Sequence, residues 1–186
     1  MMKKILITTI RILVLFIACI ISCDYLFSQK NDSVNAGILA PGARLILIDS
    51  NFGFTEGPAT NRNGNIFFTD QPNDKIWEYD VNGKLSVFMD KTGRANGLYF
   101  DAKGNIISCS DEHDELWLID MKRKVTVLAQ DYHSHQLNGP NDLWIDKQGG
   151  IYITDPYFQR DYWTRKNPDS ALGGNLFIIS LLRKSN

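Results

Sequence analysis

Glu56, Asn96 and Asn141 are three oxygen-bearing side chains at one recurring place in this sequence. A carboxylate and carboxamides are hard donors, the kind a calcium ion gathers in sets of about six to eight oxygens. A cation held there could polarise a carbonyl and stabilise the charge that develops as water attacks it. Arg94, two residues before Asn96, adds a guanidinium. If both lie in one strand they face the same way, and Arg94 can hold a hydroxyl or an oxyanion beside the cation.

Those residues need elements that bring them together, and the repeat supplies them. Residues 56–66, 96–106 and 141–151 align without gaps, at offsets of 40 and 45. Asn61, Asp101 and Asp146 share a column, as do Gly64, Gly104 and Gly149, and Ile66, Ile106 and Ile151. The frame of 40 continues through Ile76 and Leu116, Trp77 and Trp117, Asp80 and Asp120, and Val87 and Val127. A unit of about 40–45 residues built of short strands is the mark of a β-propeller blade. The innermost strand of every blade lines a central channel, so the column at Glu56, Asn96 and Asn141 converges on one axis.

Strand signals alternate with turns throughout. Asn63-Gly64-Asn65 and Lys103-Gly104-Asn105 are tight turns between an inner strand and a second one. Ile66-Phe67-Phe68-Thr69 and Ile151-Tyr152-Ile153-Thr154 are apolar runs suited to strands covered on both faces. Third strands follow at Lys75 and Glu115, and an outer one at Lys84; Gly174-Asn175-Leu176-Phe177-Ile178-Ile179 reads as the third strand of the last unit. No stretch carries a useful helical period. The expected fold is all-β, a six-bladed propeller type truncated to about three blades. Closed propellers have about four to eight, and an open array leaves apolar faces and edges in water. The expectation is therefore a fragment, an interrupted reading frame, or a ring completed by another chain, with self-association through the open edge as one route.

Thr55-Glu56-Gly57-Pro58, Ala95-Asn96-Gly97-Leu98, Gly139-Pro140-Asn141-Asp142-Leu143 and Tyr152-Ile153-Thr154-Asp155-Pro156 together resemble the gluconolactonase/regucalcin (senescence marker protein) family of six-bladed propellers. The resemblance covers the first half of such a protein. It implies hydrolysis of a sugar lactone at a divalent metal, usually Ca2+, with Mg2+ or Zn2+ as alternatives. It also implies metal ligation by Glu56 and Asn141, and substrate contact by Asn96 and Arg94. The family's other two ligands, an Asn and an Asp of later blades, have no counterpart here. That Asp is also the family's general base, so the resemblance assigns no catalytic residue to this half. A chain of this extent is expected to be inactive alone. The alternative is a non-catalytic propeller remnant that binds a ligand or protein.

Other polar and aromatic residues read as structural. Asp142 should point off the axis, because its neighbour Asn141 points toward it. Asp70 and Asp155, which share a column with Ser110, read as turn caps. Residues 112–115 read as a solvated turn, and Trp77, Trp117, Trp144 and Phe177 as core between blades. Cys109, inside an apolar run, reads as a buried small residue. His133 and His135 lack the further ligands that a zinc site needs.

Residues 1–22 carry Lys3, Lys4 and Arg11 ahead of an apolar run, the pattern of an export signal. Ile20-Ile21-Ser22-Cys23 resembles a lipobox, with Cys23 the lipidated first residue of the mature chain. Residues 24–43 then form a polar tether and 44–186 the partial propeller. Exported to the periplasm or cell envelope, the protein would touch membrane only through the lipid. Without residues 1–22 the chain has 17 basic against 21 acidic side chains, a net charge of −4. Such a surface gives no reason to expect nucleic acid.

Overall fold

The computed structural model describes residues 39–166 together with the backbone of the strand Ile178–Leu181. The export signal, Cys23, Phe177 and most of the tether lie outside the described residues. The chain divides into Met1–Leu47 and Ile48–Asn186. In the first unit the described residues are exposed and include a turn closed by Ala43 N–H on the Ala40 carbonyl.

The second unit is built of antiparallel sheets. β1 (Thr55–Thr60), β2 (Ile66–Asp70), β3 (Lys75–Tyr79) and β4 (Leu85–Asp90) form one four-stranded meander. β5 (Ala95–Phe100), β6 (Ile106–Ser110), β7 (Glu115–Ile119) and β8 (Val125–Ala129) repeat it. A short hairpin, β9 (Asp131–Tyr132) and β10 (His135–Gln136), falls where the repeat spacing lengthens from 40 to 45. β11 (Leu143–Ile145), β12 (Ile151–Thr154) and β13 (Ile178–Leu181) make a three-stranded sheet. Its third strand thus extends beyond the segment expected from sequence, whose residues 174–177 lie outside the described part.

The repeat columns are turn chemistry made visible. Asn61 Oδ1 accepts the N–H groups of Asn63 and Asn65, Asp101 Oδ1 those of Lys103 and Asn105, and Asp146 Oδ1 those of Gln148 and Gly150. Each is an Asx turn that closes the hairpin from a first strand to a second. Irregularities repeat as well. The pairing shifts between Glu56 and Ala59 and again between Ala95 and Leu98; it shifts between Ile76 and Trp77 and again between Leu116 and Trp117.

Packing follows from strand alternation. Ile106 joins Phe67, Ile76, Phe88, Leu98, Trp117 and Ile119 between the first two sheets, while its neighbour Ile107 joins Cys109, Leu116, Leu137, Leu143 and Ile153 between the second and third. The middle sheet is covered on both sides, so every residue of β6 is buried. Phe67 meets Phe88 and Phe100 edge-on, each with ring centres 5.1 Å apart. Burying one such ring contributes about 1.5–3 kcal/mol. Cys109 is buried and free, as expected. Trp144 corrects the sequence reading, since it is 54% exposed and lies against Tyr152. Between the core residues Leu143 and Ile145, it faces away from the second sheet.

Candidate functional site

Glu56 and Asn96 stand on the inner strands β1 and β5 and Asn141 just before β11, and backbone contacts bind these segments directly. Thr69 Oγ1 lies 3.0 Å from the carbonyl oxygens of both Glu56 and Asn96. Gly97 N–H donates to the Asn141 carbonyl at 2.7 Å, and Asn96 Nδ2 reaches Pro140 O at 3.4 Å. Such close approach requires glycine. A β-carbon on Gly57, whose φ is +55°, would stand 2.5 Å from Asn96 O. One on Gly97 would stand 2.6 Å from Asp142 Oδ1. The repeat thus brings Glu56, Asn96 and Asn141 to adjoining places.

Their environments differ. Asn96 is buried and Asn141 half-buried. Glu56 is half-buried, yet its Oε2 is shut from solvent and accepts no hydrogen bond among the described residues. Burial raises the Glu56 pKa, and the Asp142 and Asp111 carboxylates raise it further, against the pull of Arg160. A carboxylate oxygen left without a donor and facing like charges suits a cation. No three His, Cys, Asp or Glu side chains are grouped to hold a metal ion among the described residues. A cation at this place would draw on amide oxygens as well as carboxylates, a donor set that fits calcium.

Asp142 caps the start of β11. Its Oδ1 accepts the N–H of its own neighbour Leu143 at 2.8 Å and lies against Gly97, and its carboxylate raises the Glu56 pKa. The strand argument for Arg94 changes. Arg94 precedes β5 with φ +49°, held by Asp74, whose Oδ1 accepts the N–H groups of Arg94 and Thr92. Its guanidinium lies 4.6 Å from the centre of the Tyr162 ring, with Nη1 on Pro72 O and Nε buried without a partner.

Sequence reasoning missed the cluster beside Glu56. Asp111 is buried, and its Oδ2 accepts Gln71 Nε2 at 2.9 Å, Arg160 Nε at 2.8 Å and the Tyr162 hydroxyl at 2.7 Å. Burial and that carboxylate push the Tyr162 phenol up. Trp163 Nε1 binds Asp111 O, and Arg165 binds Asp114 Oδ1 and Asn138 O. The segment after β12 is therefore strapped onto the second repeat. One signal was present: Asp111 stands 40 residues after Gln71. The strap also corrects the expected solvated turn at 112–115, because Asp114 is buried beneath Arg165 and Gln136.

Asp70 and Asp155 are caps, as expected. Asp70 Oδ1 accepts the N–H groups of Gly53 and Phe54; Asp155 accepts those of Asn138 and Gly139. Each carboxylate fixes the entry to the inner strand of its own repeat.

Residues 54–184 match the model of the SMP-30/Gluconolactonase/LRE-like region. The chain belongs to this family. A gluconolactonase of Zymomonas mobilis is 27% identical over 146 residues, which is 70% of this chain and 40% of that protein. The structure of a gluconolactonase from Xanthomonas campestris superposes with a TM-score of 0.67 at 23% identity, covering 72% of this chain and 46% of the other. Regucalcin from Agrobacterium tumefaciens, described as a calcium-binding protein, gives 0.55 at 15% identity, covering 74% and 48%. The all-β fold is the one these family structures share. The chain spans less than half the length of each of these relatives.

Proposed function

We propose that this chain forms about three blades of a six-bladed propeller that hydrolyses a sugar lactone at a divalent cation, calcium foremost. Family membership supports the reaction class, and the relatives named gluconolactonase support the substrate class. The observation that carries the metal is the partnerless, buried Oε2 of Glu56, set beside Asn96 and Asn141 by the repeat. In this reading Glu56 and Asn141 are ligands, while Arg94 and Asn96 hold the lactone. A bound cation would polarise the lactone carbonyl. Arg94, stacked on Tyr162, would orient a hydroxyl or the developing oxyanion, and the Asp111 cluster would fix the wall on which Arg94 rests. The family's base is absent from these residues, and a positioned base contributes about 10²–10⁴-fold in rate.

This stretch is accordingly expected to bind calcium weakly and to be inactive alone. Export, the lipid anchor at Cys23 and closure of the ring through its open edge belong to the same proposal. To test it, the chain is purified and its hydrolysis of glucono-δ-lactone with calcium is followed beside a full-length relative, with calcium binding measured separately. Weak calcium binding without turnover is the expected result. Folded chain that binds no calcium would favour the second reading, a non-catalytic binding module. Turnover near that of the relative from a monomer would contradict the expected inactivity, and turnover only from an oligomer would mean that half-rings close on each other.

A further inference from the structure

We propose that the cavity between the second and third sheets binds a linear aliphatic carboxylate, its chain laid across the second sheet and its head at Lys103 and Lys147. The cavity measures about 590 Å³, within the range of about 300–1,000 Å³ common for small-molecule sites. It is apart from the candidate cation site: Asp101, in its lining, stands about 16 Å from Asn96 at the other end of β5. The repeat explains why space remains there. Between the first two sheets Phe67 meets Phe88 and Phe100 edge-on, and Phe88 is only 6% exposed. The next places in those three columns are Ile107, Leu128 and Ile145, all in the cavity wall. They carry no ring across the interface, and Leu128 is 37% exposed. Arg62 also spans the first pair of turns, with Nη2 on Ala102 O at 2.6 Å. Its counterpart in the second repeat is Ala102 itself, whose side chain cannot reach across to Lys147.

The wall sets the shape of the ligand. Tyr99, Ile107 and Leu118 are cross-strand partners in one row on β5, β6 and β7, and Leu128 of β8 continues the wall. Four strands about 4.8 Å apart make a trough about 14 Å long. Ile145 and Ile151 of the third sheet face it. Such a trough takes an extended alkyl chain, whereas a polyhydroxylated ring would lose its water there and gain few partners. Charge sits at one end. Lys103 and Lys147 follow β5 and β11 in their turns, and both line the cavity. The carboxylates beside them are engaged. Asp101 accepts the N–H groups of Lys103 and Asn105 and the Asn105 amide; Asp146 accepts the N–H groups of Gln148 and Gly150 and the Tyr152 hydroxyl. Neither lysine forms an ion pair among the described residues. Two ammonium groups at the end of an apolar trough complement a carboxylate whose chain the trough removes from water.

The purified chain is titrated with decanoate and with decanol by calorimetry, as wild type, Leu128→Phe, Ile145→Phe and the double variant Lys103→Met with Lys147→Met. Each phenylalanine restores the residue that the first interface carries, at a position that is not fully buried, so the fold should survive. Wild type should bind decanoate and shift the methyl resonances of Ile107, Leu118 and Ile151. Either phenylalanine should lower decanoate affinity by about tenfold or more. The lysine variant should weaken decanoate by about tenfold and leave decanol unchanged. A folded wild type that binds no decanoate overturns the inference. So does binding that both phenylalanine variants leave equal to wild type, or methyl resonances that stay still, since the probe would then sit elsewhere. Decanol bound by wild type as tightly as decanoate overturns the anionic head. Self-association of wild type that is lost in Leu128→Phe, and that decanoate does not displace, would give the cavity to a second copy of the chain and overturn the ligand.

Discussion

A β-carbon on Gly57 would lie 2.5 Å from the carbonyl oxygen of Asn96, so the first inner strand is in backbone contact with the second. Gly57 also has φ +55°, which side-chain-bearing residues rarely adopt. Gly57→Ala meets both penalties at once and cannot relieve the clash by rotating a side chain. We expect a loss of about 2–4 kcal/mol in stability, since backbone strain and overpacking each cost about 1–3 kcal/mol. Gly104→Ala is the comparison, because nothing lies within 4 Å of its added carbon although its φ is +85°. Urea unfolding of the two variants should separate strain alone from strain with contact.

Asp155 closes the entry to the third inner strand. It is buried and accepts the N–H groups of Asn138 and Gly139. Asp155→Ala removes the carboxylate that accepts both N–H groups in the interior, at about 1–3 kcal/mol for each hydrogen bond lost. Asp70→Ala should cost less, because the groups it caps, Gly53 and Phe54, are exposed and can turn to water. Thermal unfolding of the two variants gives the order, and equal shifts would contradict this account of the caps.

The repeat was legible because its columns are chemical requirements. Asn61, Asp101 and Asp146 must accept turn N–H groups, and Gly57 and Gly97 must let strands touch. Glu56, Asn96 and Asn141 inherit their common placement from those constraints. The cluster at Asp111 was not legible, since Arg160 and Tyr162 come from a segment outside the repeat frame, about 50 residues away in sequence. Arg94 escaped for another reason. Alternation assumes a strand, and Arg94 sits at positive φ before β5 begins.

Asp114 should titrate near neutrality. Burial pushes its pKa from the ordinary 3.8 to about 6, although Arg165 pulls it down. A carboxyl raised in this way binds its proton more tightly in the folded state than in the unfolded chain. Its contribution to stability is therefore full below about pH 4 and is lost as pH rises through about 6. Asp114→Asn should flatten that part of the stability curve. Arg165→Met should move the carboxyl titration, followed by NMR, to higher pH. A downward shift would contradict the role assigned to Arg165.

Calcium calorimetry on wild type, Glu56→Gln and Asn96→Ala tests the central claim most directly. Glu56→Gln keeps the shape and removes the charge at the buried oxygen, so affinity should fall by at least about tenfold, or about 1.4 kcal/mol. Asn96→Ala should cost less, because Asn96 is assigned to the substrate. Equal affinity in wild type and Glu56→Gln would show that Glu56 is not a ligand and that the repeat column does not hold the metal.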